Sequence, residues 1–183
     1  MEPLTETTTT TPPDFFDVLE EEWCTAFPER GIKCEPLMTR MTWLIQRMDR
    51  LVDKAFEPFG LGRGDVEVIC AIARSPGHRL QPKDLLNKMV VSSGGLTARI
   101  DKLEKRGALR RLPDPNDRRG SILEATPEGI ELAVDVHAAH VAVEEAFIAA
   151  LTDGEREAFN RLLRRLVSSV AAVDAPNGGK NGN

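Results

Sequence analysis

Three hydroxyls and a run of cations are the first groups of interest. Ser92, Ser93 and Thr97 fall within six residues, followed by Arg99, Lys102, Lys105, Arg106, Arg110 and Arg111, then Arg118 and Arg119. Hydroxyls and free amides at the leading end of a helix donate to phosphate oxygens or reach base edges. Arginine and lysine supply the charge that a polyanion attracts. The surrounding residues, Val90-Val91-Ser92-Ser93-Gly94-Gly95 and Ala98, are small and let a backbone approach a groove closely. The formal net charge of −5 argues against a nucleic-acid partner, but its distribution argues for one. Residues 1–35 hold nine acids and two bases, a balance of −7, whereas residues 97–120 hold eight bases and four acids, a balance of +4. A phosphate-binding face needs local positive potential, not a basic chain. The plain alternative is a solvated helix face followed by a solvated hairpin.

Other reactive groups are sparse. His137 and His140 lie three apart on one helix face with Glu144 and Glu145 nearby, a spacing that permits a metal pair but completes no site. Cys24, Cys34 and Cys70 form no CxxC and cannot all pair, which points to a reducing cytoplasm and leaves oxidant sensing as a secondary reading. His78 follows a turn and reads as structural or exposed. Neither a P-loop nor a GxSxG, HExxH or dinucleotide-binding fingerprint occurs. No apolar run reaches 18 residues, and the first thirteen carry neither a basic n-region nor an apolar h-region, so neither a membrane span nor a secretory leader is read.

The elements that must position these groups follow from periodicity. Residues 1–13 are rich in Thr and Pro and read as disordered, as does the tail 175–183. Between them lies one unit, 14–174. Phe16, Leu19, Trp23 and Phe27 mark an amphipathic helix over 14–27. Leu37, Met41, Leu44, Met48, Leu51, Val52 and Phe56 mark a long helix over 37–59, with Trp43 in packing. A helix from about Gly64 to Arg74 ends at Ser75-Pro76-Gly77, and Pro82 opens another. Ser92 or Ser93 is expected to cap the basic helix, whose Leu96, Ile100 and Leu103 face inward and whose end is Gly107. Leu109–Leu112 and Ser121–Ala125 flank PDPNDRRG, a strand–loop–strand with a basic tip. Thr126-Pro127 opens the helix of Ile130, Ala133 and Val134, and Thr152 with Glu155 forms a capping box before a last helix.

Helices, a basic helix and then a hairpin with arginine at its tip make the outline of a winged helix-turn-helix, mainly α with a small β-wing. One helix enters the major groove while the hairpin reaches the minor groove beside it. Residues 92–129, SSGGLTARIDKLEKRGALRRLPDPNDRRGSILEATPEG, resemble the core of the MarR family of bacterial transcription regulators, with Asp117-Arg118-Arg119 where that family has its wing D-x-R pattern. The likeness extends over about 37–172. It implies a homodimer whose N- and C-terminal helices, here 37–59 and 127–172, intertwine, and whose winged lobe, here 64–126, docks on half of a pseudopalindromic site.

The Trp-bearing helix FFDVLEEEWCTAF is similar to the extra N-terminal helix of the urate-responsive branch of that family. The resemblance implies a ligand site built from Trp23, Glu67 and Arg99, although the acid is usually Asp in an E-F-D-V-L context and Asp65 is a second candidate here. An arginine of the DNA helix tied to a buried acid fixes that helix, and an anionic ligand entering beside the acid re-aims it. The sequence is therefore read as a DNA-binding regulator, a repressor rather than an enzyme, without a cofactor and released by urate or a related anion. A small organic acid, a phenolic compound or cysteine oxidation is the runner-up signal. A winged-helix protein-interaction module without DNA binding is the reading from another class. Ser92, Ser93, Thr97 and Ala98 are expected in the groove, and Arg99, Lys102, Arg110, Arg118 and Arg119 at phosphates or the minor groove.

Overall fold

The computed structural model describes residues 12–28, 36–85, 95–115 and 117–174 and, within them, every side chain except those of 117–119 and 171–174. The expectations for residues 1–11 and 175–183 and for Cys34, Ser92 and Ser93 lie outside the described residues, as do the side chains of Arg118 and Arg119. The backbone divides into two compact units, 1–51 and 52–183. The division falls inside a long helix.

In the first unit, α1 (Phe15–Ala26) starts on Asp14. The Asp14 carboxylate accepts the amides of Phe16 at 2.8 Å and Asp17 at 3.3 Å, and the Asp17 carboxylate accepts the Asp14 amide at 2.8 Å. This reciprocal cap satisfies donors that the first turn leaves without partners. Helix α2 (Leu37–Phe56) contributes Arg40, which grips Asp14 through Nε at 2.8 Å and Nη2 at 2.9 Å, and Asp17 through Nη2 at 2.5 Å. The Phe16 and Trp43 rings meet edge-on at 6.2 Å between centroids.

The second unit begins at the end of α2, where Val52 and Phe56 are buried. A 3-10 turn, Glu57–Phe59, and left-handed Gly60 reverse the chain into α3 (Arg63–Ala73). Arg63 Nε reaches back to Asp53 at 2.6 Å. Helix α3 is the hub of the core. Its Val68, Ile69, Ala71 and Ile72 are fully enclosed, together with Leu85, Leu103, Leu123 and Val136 from the surrounding elements. A second 3-10 turn, Pro76–His78, leads into β1 (Arg79–Leu80) and then α4 (Pro82–Leu85).

After α5 (Leu96–Lys105), the chain turns at left-handed Gly107 (φ 79°) into β2 (Leu109–Asp114) and β3 (Asp117–Ala125). The antiparallel sheet has the order β1-β3-β2, with Arg79 and Arg110 both opposite Glu124. Strand β1 is absent from the sequence reading; two residues are too few to show an alternation. Helix α6 (Pro127–Phe147) is capped by Thr126, whose Oγ1 accepts the Gly129 amide at 3.0 Å and donates to the Gly107 carbonyl at 2.7 Å. Its first turn presses so closely on the preceding loop that a Cβ at Gly129 would lie 1.9 Å from the Ala108 carbonyl oxygen. Helix α7 (Asp153–Asp174) follows the expected Thr152–Glu155 box. Among the described residues no helix is long and apolar enough to cross a membrane.

Candidate nucleic-acid interface

Helix α5 has two unequal sides. Ile100 and Leu103 are buried against the core and Leu96 is half-buried, as the i, i+4, i+7 spacing requires. Thr97, Ala98, Lys102 and Lys105 are exposed on the other side. The helix starts at Gly95, not at the serine expected as its cap. Gly95 is left-handed (φ 79°) and caps without a side chain, a conformation glycine adopts at no steric cost. Gly95, Thr97 and Ala98 are exposed at this end of α5.

Two cations of α5 turn back toward α3. Lys102 Nζ donates to Asp65 Oδ2 at 2.6 Å, and the same oxygen accepts the Gly62 amide at 3.0 Å. Asp65 therefore does two jobs: it caps the start of α3 and anchors α5. Its side chain is 10% exposed, against 50% for Lys102. The sequence reading named Asp65 only as a substitute for Glu67. Its position three residues after Gly62 is the signal that finds it. Arg99 is half-buried and packs its guanidinium against Gly64, where a Cβ would lie 2.3 Å from Arg99 Cζ. Among the described residues Arg99 Nη1 is buried and lacks a hydrogen-bond acceptor. Glu67, half-buried, lies three positions beyond Gly64 and so on the same face of α3.

The hairpin carries its own network. Glu124 Oε1 receives Arg79 Nη2 at 2.6 Å, and Glu124 Oε2 receives Arg110 Nε. The two guanidinium groups, Arg110 first, hold the Glu124 carboxyl below the usual carboxylate range. Arg111 Nη2 meets Asp101 Oδ1 at 2.5 Å and so joins β2 to α5. Gln81 Nε2 donates to buried Asp114 at 2.6 Å. Arg106 Nη1 donates to the Phe59 carbonyl. Arg110, expected from the sequence at phosphates or the minor groove, and Arg106 and Arg111, expected as surface charge, each have a partner within the fold.

The remaining candidates fall elsewhere. Trp23 belongs to the first unit, on α1. It stacks on Phe27 at 5.5 Å and lines a pocket of about 100 Å³ with Phe16, Leu19 and Pro36. Glu67 and Arg99 belong to the second unit. Cys24 is exposed. Cys70 lines a cleft of about 720 Å³ with Ile130, Val134, His78 and His137. Burial pushes the Cys70 thiol above its ordinary range, which disfavours the thiolate that oxidants attack. His140 faces Glu144 at 3.6 Å and the Phe56 ring at 6.0 Å. Among the described residues no three His, Cys, Asp or Glu side chains converge as a metal site.

This architecture is shared with known proteins. A model described as the MarR family matches residues 62–121. The multiple antibiotic resistance protein MarR of Salmonella typhimurium is 32% identical over 99 residues, covering 54% of this chain and 67% of that protein. The chain belongs to the MarR family. The HTH-type transcriptional regulator PecS of Dickeya dadantii is 25% identical over 147 residues, covering 80% of this chain and 89% of its own. A cysteine variant of MarR from Escherichia coli, solved in complex with operator DNA, superposes with a TM-score of 0.61 at 26% identity, covering 76% of this chain and 96% of that one. As a MarR-family member, the chain is a DNA-binding transcription regulator and not an enzyme. Its mostly helical fold with a three-stranded antiparallel wing is the winged helix-turn-helix expected from the sequence. The basic segment 97–120 lies wholly within the stretch matched by the family model.

Proposed function

We propose that this regulator is a homodimeric repressor. It docks one winged helix on each half of a pseudopalindromic operator and releases it when a small anionic or aromatic ligand, urate first, enters beside α3 and α5. The observation that carries the ligand reading is Arg99. Its buried Nη1 has no acceptor among the described residues, and its guanidinium sits where only a glycine leaves room. Leaving a buried donor unsatisfied costs about 1–3 kcal/mol. An anionic oxygen arriving there recovers that cost and favours the conformation that holds it. Glu67 stands on the same face of α3. Thr97, Ala98 and Lys102 would face the groove or its phosphates, with Ser92, Ser93, Arg118 and Arg119 completing the contact.

Support for the dimer comes from α6 and α7. Val134 and Val141 on α6, and Phe159, Leu162, Leu166 and Val170 on α7, are exposed apolar residues at helical spacing. A helix with an apolar stripe facing water calls for a covering partner, and a second copy of the same helices supplies one.

The test is release of operator DNA by urate from the wild type and from Arg99→Ala. Loss of the response in the variant is expected; an identical response removes Arg99 from the mechanism. A thermal-shift series with urate, xanthine, phenolic acids and small carboxylates separates urate from the organic-acid alternative, because the ligand that binds the folded state raises its Tm.

A further inference from the structure

Glu124 is an acid placed among the cations of a DNA-binding wing. It lies on β3, the central strand, with β1 on one side and β2 on the other. Arg79 and Arg110 stand opposite it in register, one on each neighbour, and its two carboxylate oxygens are divided between them. Leu123 and Ala125, on either side of Glu124 in the chain, are buried, so the Arg79–Glu124–Arg110 row lies on the sheet face turned away from the core. The two arginine side chains remain 55% and 61% exposed, whereas the carboxylate they cover is 9% exposed. The row carries a net charge of +1, and both guanidinium groups are directed inward at the acid.

We infer that Glu124 is a specificity-determining positioning residue of the DNA interface: it holds Arg79 and Arg110 on the wing sheet, away from phosphates. This inference rests on DNA binding and not on the ligand response. The physical reason is a competition between two kinds of contact. Each phosphate neutralised by a cation adds affinity for every sequence and steepens the dependence on salt, whereas discrimination comes from base contacts and groove shape. Two unrestrained arginines at the base of the wing would raise binding to any duplex. They would also loosen the register in which α5 and the wing tip meet their grooves. Glu124 withholds both cations and ties the three strands into one rigid platform. Arg110 thereby changes role, from an expected phosphate contact to a partner of Glu124.

The experiment uses the full chain and two duplexes of equal length and composition. One is selected by the wild-type protein from a random pool; the other is its scrambled counterpart. Glu124→Gln keeps the shape of the side chain and removes its charge. The variant is expected to bind the scrambled duplex about 10-fold more tightly at low salt. Its slope of log K against log salt should steepen by up to about 2 per subunit. The selected-to-scrambled ratio should narrow. A folded Glu124→Gln protein with the wild-type slope and ratio overturns the inference. A second measurement needs no variant. In the wild type, the Arg79 and Arg110 Nε–H resonances are expected to keep their free-protein positions when the selected duplex binds. Displacement of the Arg110 resonance by phosphate contact overturns the inference even if the variant does not fold.

Discussion

Gly64 and Gly129 both sit in helices that alanine would favour by about 1 kcal/mol, and the atoms they face give the same substitution opposite outcomes. At Gly129 a Cβ meets the Ala108 carbonyl, which is backbone and cannot move aside. Gly129→Ala is therefore expected to lose about 2–3 kcal/mol in a urea melt, in the range of overpacked sites. At Gly64 the Cβ meets the Arg99 guanidinium, the far end of a flexible side chain. Gly64→Ala is expected to leave stability within about 1 kcal/mol of wild type while expelling the guanidinium and abolishing ligand-driven DNA release. An intact ligand response in Gly64→Ala would separate Arg99 placement from signalling. Lys102→Met leaves the Asp65 carboxylate enclosed without its cation. Because Lys102 is half exposed, the expected cost is about 1 kcal/mol, well below that of breaking a fully buried pair.

The anchor between α1 and α2 makes a pH prediction of its own. Arg40 lowers the Asp14 carboxyl to about 2, the hydrogen bond from the guanidinium being the largest cause. A depressed carboxyl stabilises the fold above its ordinary titration range, and that contribution is lost as pH falls through the lowered value. A carboxyl NMR titration is expected to show Asp14 ionised at pH 3, with its midpoint near 2; a midpoint near 3.8, the ordinary value, would mean that Arg40 does not hold it. Most of the elements are legible in the sequence because their signals are local. The spacing of Phe16, Leu19 and Trp23 marks α1, Thr126-Pro127 announces α6, and the spacing of Ile100 and Leu103 turns α5 the right way. The contacts that build the interface are a different matter. Asp65 and Lys102 are 37 residues apart and Arg79 and Glu124 are 45 apart, and no periodicity links such pairs. Strand β1 exists only because β3 passes beside it, and Gly95 takes over the cap because a left-handed backbone starts the helix without a side chain.

For the molecule as a whole, the exposed apolar stripe of α7 sets the decisive test of assembly. Leu166→Glu is expected to shift the protein toward monomer in size-exclusion chromatography with light scattering. It should also weaken binding to a full pseudopalindromic site far more than binding to a half-site. An unchanged mass would mean that this stripe does not hold two copies together. The tight seam between Gly129 and Ala108 reaches further than its few atoms. It leaves no slack at the joint between α6 and the turn that links α5 to the wing. A helix of 21 residues is roughly 30 Å long, so a tilt of about 5° at one end sweeps the other by roughly 3 Å over that length. A displacement of that size at the distal end of α6 is expected to re-aim the turn and strand at its root, in the manner of a crank.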